Sequence, residues 1–437
     1  MKAVHHKITI DVDQLVSEEL PYMRAFYLRQ NELHQDVKDL FSFPVNNAHS
    51  MPFYTISEKG CDDAFDVFTD SYSMMVDAVG RALRDRSALY RFFDCDFLRD
   101  HGHYFVPYAA HTFRTRGMIG QTMYGRFDAA FDPVSEQVTG LYEFNGDTPV
   151  MLFESVNLQN RLTREVTGSS FAQFNNYYEK FNEMMKAYQF GPDVEFAVVF
   201  DGNYVEDSAT CETLSQFIGE HAICYYRDLA DLEYDYENPQ QPFVLRDYDR
   251  PLDVVFVLSP WEEMVSKFPH AFRDWERWAN NVALLEPAWR WFMSHKGIWA
   301  YITHLMESDS AFNAKWSHLP VLPTYTSPES FIKAGRPYVS KPVLGRLSSN
   351  IEIYDGKNAL LNASNGYYGD CERVYQAFCA PHKVEGRNNF IAGCWMVSKE
   401  RTESTGHEAE AASFCIREFD APVLEISNER FIPHLVV

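Results

Sequence analysis

Long apolar runs are missing from this chain. No segment approaches the ~20 consecutive apolar residues of a membrane span. The first residues, MKAVHHKITIDVDQLVSEEL, hold no apolar core of a secretion signal. Basic surplus is missing too: 39 Lys and Arg stand against 62 Asp and Glu, a formal net charge of -23. That excludes nucleic acid and anionic membranes as general partners. The eight cysteines form no C-x-x-C pair, and their scatter reads as buried thiols of a reducing compartment. The expectation is a soluble, cytoplasmic protein. Neither the P-loop G-x-x-x-x-G-K-[ST] nor the dinucleotide G-x-G-x-x-G occurs, and no internal repeat stands out.

What is present is bulk for large cores. Of 437 residues, 46% are hydrophobic and 15% aromatic. This excludes disorder and predicts two or three packed units. The first hundred residues read as mostly helical, with Phe65, Phe68, Tyr72, Met75, Val76 and Val79 near helical spacing. Two strands, MYGRFDAAFD and GLYEFNGDTPV, flank a turn. A long helix is predicted over 171–189 and stopped by Gly191-Pro192. EFAVVFDG, AICYYRDL and LDVVFVLSP then alternate with a helical pattern, which predicts a small parallel layer. The block from Ala271 to Ser308 reads as helical. NFIAGCWMVS and ASFCIRE close the chain as strands. A central α/β unit therefore interrupts something built from the regions on either side.

Alternation along the strands places Arg126 and Asp128 on one face, and Glu143 and Asn145 on one face. If the strands pair, one surface holds a cation, two carboxylates and an amide oxygen. Such hard oxygen ligands suit Mg²⁺ beside a phosphate. The competing reading is a solvated face with an ordinary salt bridge. Without a cation, two facing carboxylates would push at least one pKa up.

The stretch YVSKPVLGRLSSNIEIYDG, Tyr338 to Gly356, reads as a strand, a small-residue loop and a second strand. Lys341 stands at its entrance, and the loop carries Gly345, Arg346, Ser348, Ser349 and Asn350. It is an anion cradle or a plain hairpin. A lysine on a surface hairpin would support little core. Lys296 and Arg417 are further isolated cations. His101, His103 and His295 are read as structural.

GRFD and LYEFNGDTP, SPWE, SHK, YVSKPVLGRLSSNIEIYDG, VYQ, IAGCWMVS and FCIRE follow one another in that order. In this series the chain resembles the synthetase domain of the glutathionylspermidine synthase family, from about residue 100 to the end. The resemblance implies an α+β / α/β chain: a circularly permuted ATP-grasp fold with an inserted pre-ATP-grasp-like α/β domain. Its expected divisions are 1–100 (helical), 101–190 (metal-binding strands), 191–290 (substrate side) and 291–437 (nucleotide lysines and lid). The length leaves no room for the cysteine amidase domain of bifunctional members.

The resemblance further implies ATP and two Mg²⁺ ions. Asp128, Glu143 and Asn145 would hold the metal, and Arg126 would face the transferred phosphoryl group. Lys296 and Lys341 would contact the nucleotide. Gly345, Ser348, Ser349 and Asn350 would close over its phosphates. Gln376 would meet adenine and Arg417 the terminal phosphate. Thr148 would lie near the substrate carboxylate, and Glu206 and Asp207 near a peptide or amine. Ser348 stands where the family usually has glycine, which puts the lid conformation in question.

The activity implied is an ADP-forming ligation of a carboxylate to an amine, possibly a polyamine, through an acyl phosphate. Two alternatives stay open. One is a nucleotide-binding interaction protein without turnover. The other is a ligase acting on a peptide or protein carboxylate.

Overall fold

The computed structural model describes residues 1–27, 49–116, 122–187, 191–248, 250–399, 408–424 and 428–437. Its frame is an antiparallel central sheet. The order is Glu429–Phe431, Ala409–Phe419, Asn389–Ser398, Arg126–Asp132, Gln137–Asn145, with His382–Lys383 paired beside Asn389–Ser398. The two acid-bearing strands form a hairpin through the polar turn at 133–136. Asn389–Ser398 joins them from the far end of the chain, with Gly393 opposite Asp128.

Helix Glu58–Ala82 packs on this sheet. Ser57 accepts from the Gly60 amide and satisfies one of the free amides of its first turn. Phe68, Tyr72, Met75 and Val79 recur at helical spacing and are all buried. Each such side chain contributes roughly 1.5–3 kcal/mol relative to exposure. Phe68 meets Phe127, which with Phe144 forms the core face of the acid hairpin, ring centroids 4.5 Å apart.

A second sheet is wholly parallel, in the order Ala283–Leu285, Val254–Leu258, Glu195–Phe200, Ile223–Asp228. Its two central strands are buried along their whole length. That explains continuous apolar runs in place of alternation. A third, antiparallel sheet has the order Thr324–Tyr325, Arg373–Ala377, Tyr338–Pro342, Glu352–Tyr354, Leu360–Ala363. Leu232–Tyr234 pairs with Phe243–Leu245. A three-stranded sheet ties Lys2–Ile8 to His49–Ile56, and that strand to His434–Val436.

Four sequence expectations change. The first hundred residues carry two strands, Lys2–Ile8 and His49–Ile56, besides helices; residues 28–48 lie outside the described residues. The helix predicted over 171–189 begins at Tyr177, and it is described to Ala187. Residues 174–176 are not helical because their backbone pairs elsewhere, with an isolated bridge from Asn175 to Ser413. Phe174 N donates to His434 Nε2, Phe414 N to Phe174 O, and Asn176 N to Ala412 O. Phe171, expected on the apolar face, is 92% exposed. The block from 271 to 308 is broken by Ala283–Leu285, which joins the parallel sheet and places its backbone beside Val254–Phe256. Finally, Lys341 is no surface residue: its strand lies in the middle of the third sheet, between two partners, and the side chain is 7% exposed.

No helix among the described residues is long and apolar enough to cross a membrane.

Candidate active site

The acid hairpin fixes the first wall. Arg126 lies opposite Asn145 and Asp128 opposite Glu143 in the register. Strand alternation turns these four to one face and Phe127 and Phe144 to the other. Gly393, across from Asp128, makes room: a Cβ there would stand 3.2 Å from Arg126 Cδ and 3.4 Å from Asp128 Oδ1.

Asp128 is buried and doubly neutralised. Arg126 Nε and Nη2 donate to its two oxygens at 2.9 and 3.1 Å. Arg417 Nη2 stands 2.6 Å from Oδ2. Burial pushes the carboxyl up, but Arg126 and Arg417 outweigh it, and the pKa lies below the ordinary value. Glu143 behaves alike. Burial raises it most and Asp128 raises it further, but Lys296 at 3.2 Å and Lys341 together outweigh them; the net direction is down. The expected upward shift from facing carboxylates does not occur. Four cations around two acids remove the repulsion that the strand pattern alone implied.

Lys341 is the second wall. Its Nζ donates to Gln376 Oε1 at 2.7 Å and to Tyr142 O at 3.2 Å. Burial brings its pKa down to about 8, with Glu143 pulling the other way. Gln376 on the neighbouring strand also reaches Leu141 O. The middle of the third sheet thus meets the edge strand of the central sheet through this lysine.

The loop 343–351 closes the top. Leu347, Ser348 and Asn350 adopt φ of +52°, +53° and +55°, a region glycine enters at less cost than any of them. Arg346 Nη2 bridges Asp147 at 2.9 Å and Glu262 at 3.3 Å. Lys296 holds the loop from behind, Nζ to Gly345 O at 2.6 Å. Asn350 Oδ1 accepts from Tyr368 N.

Between these walls lies a cavity of about 590 Å³. Arg126, Asp128, Glu143, Asn145 and Thr148 line its floor. Lys341, Ser348 and Gln376 line the side facing the third sheet and the loop, and Arg417 lines the cavity beside Asp128. Glu206 and Asp207 line the end formed by the parallel sheet. Lys296, Gly345, Ser349 and Asn350 are not part of the lining. Lys296 is spent on Glu143 and Gly345, and the other three shape the loop from outside. His295 is buried beside Lys296, and burial, then that lysine, brings its pKa down to about 3, so it is a neutral core residue.

The parallel-sheet end is acidic. Asp201, Glu206, Asp207 and Glu263 face the cavity there, with Glu429 beside Arg417. Burial first, then neighbouring acids, push Glu206 up to about 7 and Asp207 up to about 8.

Among the described residues, no group of three His, Cys, Asp or Glu could hold a metal ion. The oxygen set on the floor is two carboxylates and one amide. These donors fit a hard cation, and the cations now on Asp128 and Glu143 show that the face takes positive charge.

Residues missed by the sequence reading are Asp147, Glu154 and Glu262. Asp147 lies in NGDTP and its ion pair with Arg346 links two motifs that were read separately. Glu154 gave no signal, because Glu206, the acid whose charge acts on it most, is distant in sequence.

The sequence pattern described as "Glutathionylspermidine synthase preATP-grasp" matches residues 47–437. A Haemophilus influenzae protein, assigned on its name as an acid–amine ligase, is 26% identical over 331 residues, covering 72% of this chain and 75% of that one. Trypanothione synthetase of Crithidia fasciculata is 26% identical over 125 residues, 29% of this chain and 17% of that one. Among solved structures, a glutathione synthetase-like effector from Globodera pallida in its apo form superposes with a TM-score of 0.50 at 12% identity. The match covers 98% of this chain and 100% of that one. At that identity the likeness speaks to fold alone.

Proposed function

The chain belongs to the glutathionylspermidine synthase family, and on that premise we propose that it is an ATP-dependent, ADP-forming acid–amine ligase. The fold proposed is a circularly permuted ATP-grasp. The central and third sheets grip the nucleotide, and the parallel-sheet unit is inserted on the substrate side. The relatives' names support the reaction class. The observation that carries the reading is the meeting of Arg126, Asp128, Glu143 and Asn145 with Lys341, Gln376 and Arg417 around one cavity.

In this reading Lys341 and Gln376 bind the nucleotide from the third sheet, and the loop 343–351 covers its phosphates. Lys296 holds that loop in place. Arg126 and Arg417 meet the phosphoryl group as it moves to the carboxylate, where fixed positive charge offsets the charge that develops. Thr148 orients the carboxylate. Asp128, Glu143 and Asn145 would hold Mg²⁺, which when bound neutralises phosphate charge. An amine enters from the acidic end, past Glu206 and Asp207, and displaces phosphate from the acyl phosphate. The cavity needs position and charge more than a nucleophile of its own. The uncompensated carboxylates at that end favour a cationic amine.

The test is a screen of acid–amine pairs for ADP release, with mass spectrometry of products. ADP and phosphate with a condensed amide support the reading. AMP and pyrophosphate with a true pair overturn it.

A further inference from the structure

Glu206 stands in the first turn of helix Val205–Gly219, on the cavity wall. Glu154 opens a single π-helical turn, Glu154–Leu158, within an otherwise α-helical run. Such turns frequently mark functional sites. The two elements are pinned together: Thr213 Oγ1 donates to Asn157 Oδ1 at 3.1 Å. The π turn is also fixed to the central sheet, where Ser413 Oγ donates to Ser155 O at 3.1 Å.

Glu154 is 2% exposed. Its carboxylate has no ion pair, and no hydrogen-bond partner in another residue, among the described residues. The same holds for Glu206. A buried ionised carboxylate without partners is costly, so one of the pair keeps a proton.

The charges around them do not relieve this. Glu154 faces Glu206, Glu429 and Arg126, and Glu206 faces Glu429, Arg126 and Arg417, with Asp207 next to it in the helix. Arg126 is committed to Asp128 and the Val150 carbonyl, and Arg417 to Asp128 and Glu429. Burial, then Glu206, pushes Glu154 up to about 8, and burial, then Glu429, pushes Glu206 up to about 7. At neutral pH the deeper acid holds its proton, and the one on the wall is poised between its charged and neutral forms.

An alkylamine reaches the cavity as an ammonium and must lose a proton before it can attack. Resting on the ligase reading above, we propose that Glu206 is the base that takes this proton, with Glu154 as the positioning residue that acts on it through charge alone and keeps it near its working point. One ammonium proton passes to Glu206. The amine nitrogen then forms the C–N bond, the C–O bond to phosphate breaks, and phosphate leaves with that electron pair. The second amine proton goes to phosphate, giving hydrogen phosphate and the amide. Glu206 returns its proton to solvent through the open cavity.

The test separates this pair from the ligase reading. Butylammonium is titrated into the full chain near pH 7 by calorimetry in two buffers of different ionisation enthalpy, which counts protons released. Wild type should bind the probe and release a measurable fraction of a proton. Glu206→Gln should weaken binding at least about 10-fold. Glu154→Gln should keep binding but lose the proton release, a change that mere loss of packing would not produce. No binding by wild type, or indifference to Glu206→Gln, overturns the proposal without touching the ADP-release test. Equal proton release in Glu154→Gln removes that residue from the pair.

In turnover, Glu206→Gln should cost an alkylamine about 100-fold or more. Hydroxylamine, already unprotonated at neutral pH, should lose less than about 10-fold. Equal losses with both nucleophiles would show Glu206 to be a binding group only.

Discussion

Arg417 reaches Asp128 across the intervening strand Asn389–Ser398, Nη2 to Oδ2 at 2.6 Å. With Arg126 on the other side, one buried carboxylate holds two guanidiniums. Removing it leaves Arg126 with only the Val150 carbonyl and Arg417 with only the longer pair to Glu429. Asp128→Ala should therefore destabilise the chain by about 3–5 kcal/mol, read from denaturant midpoints. Because the Asp128 pKa is lowered, its contribution is present above the unfolded carboxyl pKa of ~3.9 and is lost as pH falls below that. The wild-type and variant stabilities should converge in strong acid. Parallel curves down to low pH would contradict the assignment.

Lys341 carries the opposite sign. Burial brings its pKa down to about 8. A charged lysine at pH 7 therefore costs the fold something, and that cost fades as pH rises from 8 toward the unfolded value of ~10.4. Lys341→Met keeps the stem and drops the charge. Its melting temperature relative to wild type should be highest at pH 7 and should fall as pH rises to 10. Nucleotide affinity should drop about 10-fold or more in the same protein. Unchanged affinity would make the lysine a sheet-packing residue only.

Ser348 tests the loop. At φ +53° a serine is held where glycine is cheaper. Ser348→Gly should retain nucleotide binding and leave stability within about 1 kcal/mol, since relief of strain is offset by a more flexible unfolded chain. Ser348→Val places a β-branched residue at positive φ and should weaken nucleotide binding. If Val is tolerated as well as Gly, the loop conformation does not matter to the site.

The alternation in GRFD and YEFN was enough to place four side chains on one face, because strand period is local information. The charges that neutralise them were not legible. Arg417 and Lys296 reach Asp128 and Glu143 only through strand order and loop closure, so the rise expected of two acids without a cation does not apply. Lys341 looked exposed because its hairpin was visible, and the strand Arg373–Ala377 that buries its other edge was not. Ala283–Leu285 was hidden for a related reason. Three apolar residues inside an aromatic-rich block fit a helix as well as a strand, and only pairing with Val254–Phe256 decides.

Asp207 gives a pH test of the acidic end. Burial, then Glu206, raises its pKa to about 8. A raised carboxyl favours the fold fully below the unfolded value of ~3.9, and that contribution is lost as pH rises toward 8. Asp207→Asn has no such loss. Its melting temperature should match wild type near pH 4 and exceed it by about 1–2 °C near pH 8. A gap that is the same at both pH values would place the residue in solvent.

Glu143→Gln keeps the shape of the floor and removes one charge from it. The ion pair with Lys296 is lost, the larger of the two lysine interactions that offset burial of the carboxylate. Stability without ligands should therefore fall by about 1 kcal/mol. The catalytic effect should be much larger. Under the ligase reading, turnover should drop at least about 100-fold, or ~2.7 kcal/mol of transition-state stabilisation. The Mg²⁺ concentration for half-maximal ADP release should rise in the same variant, while Arg126→Ala should leave that metal dependence in place and lose phosphoryl transfer. A stability loss without a change in Mg²⁺ dependence would mean that Glu143 serves only Lys296 and the loop it holds. Full activity of Glu143→Gln at low Mg²⁺ would remove the whole acid face from the site.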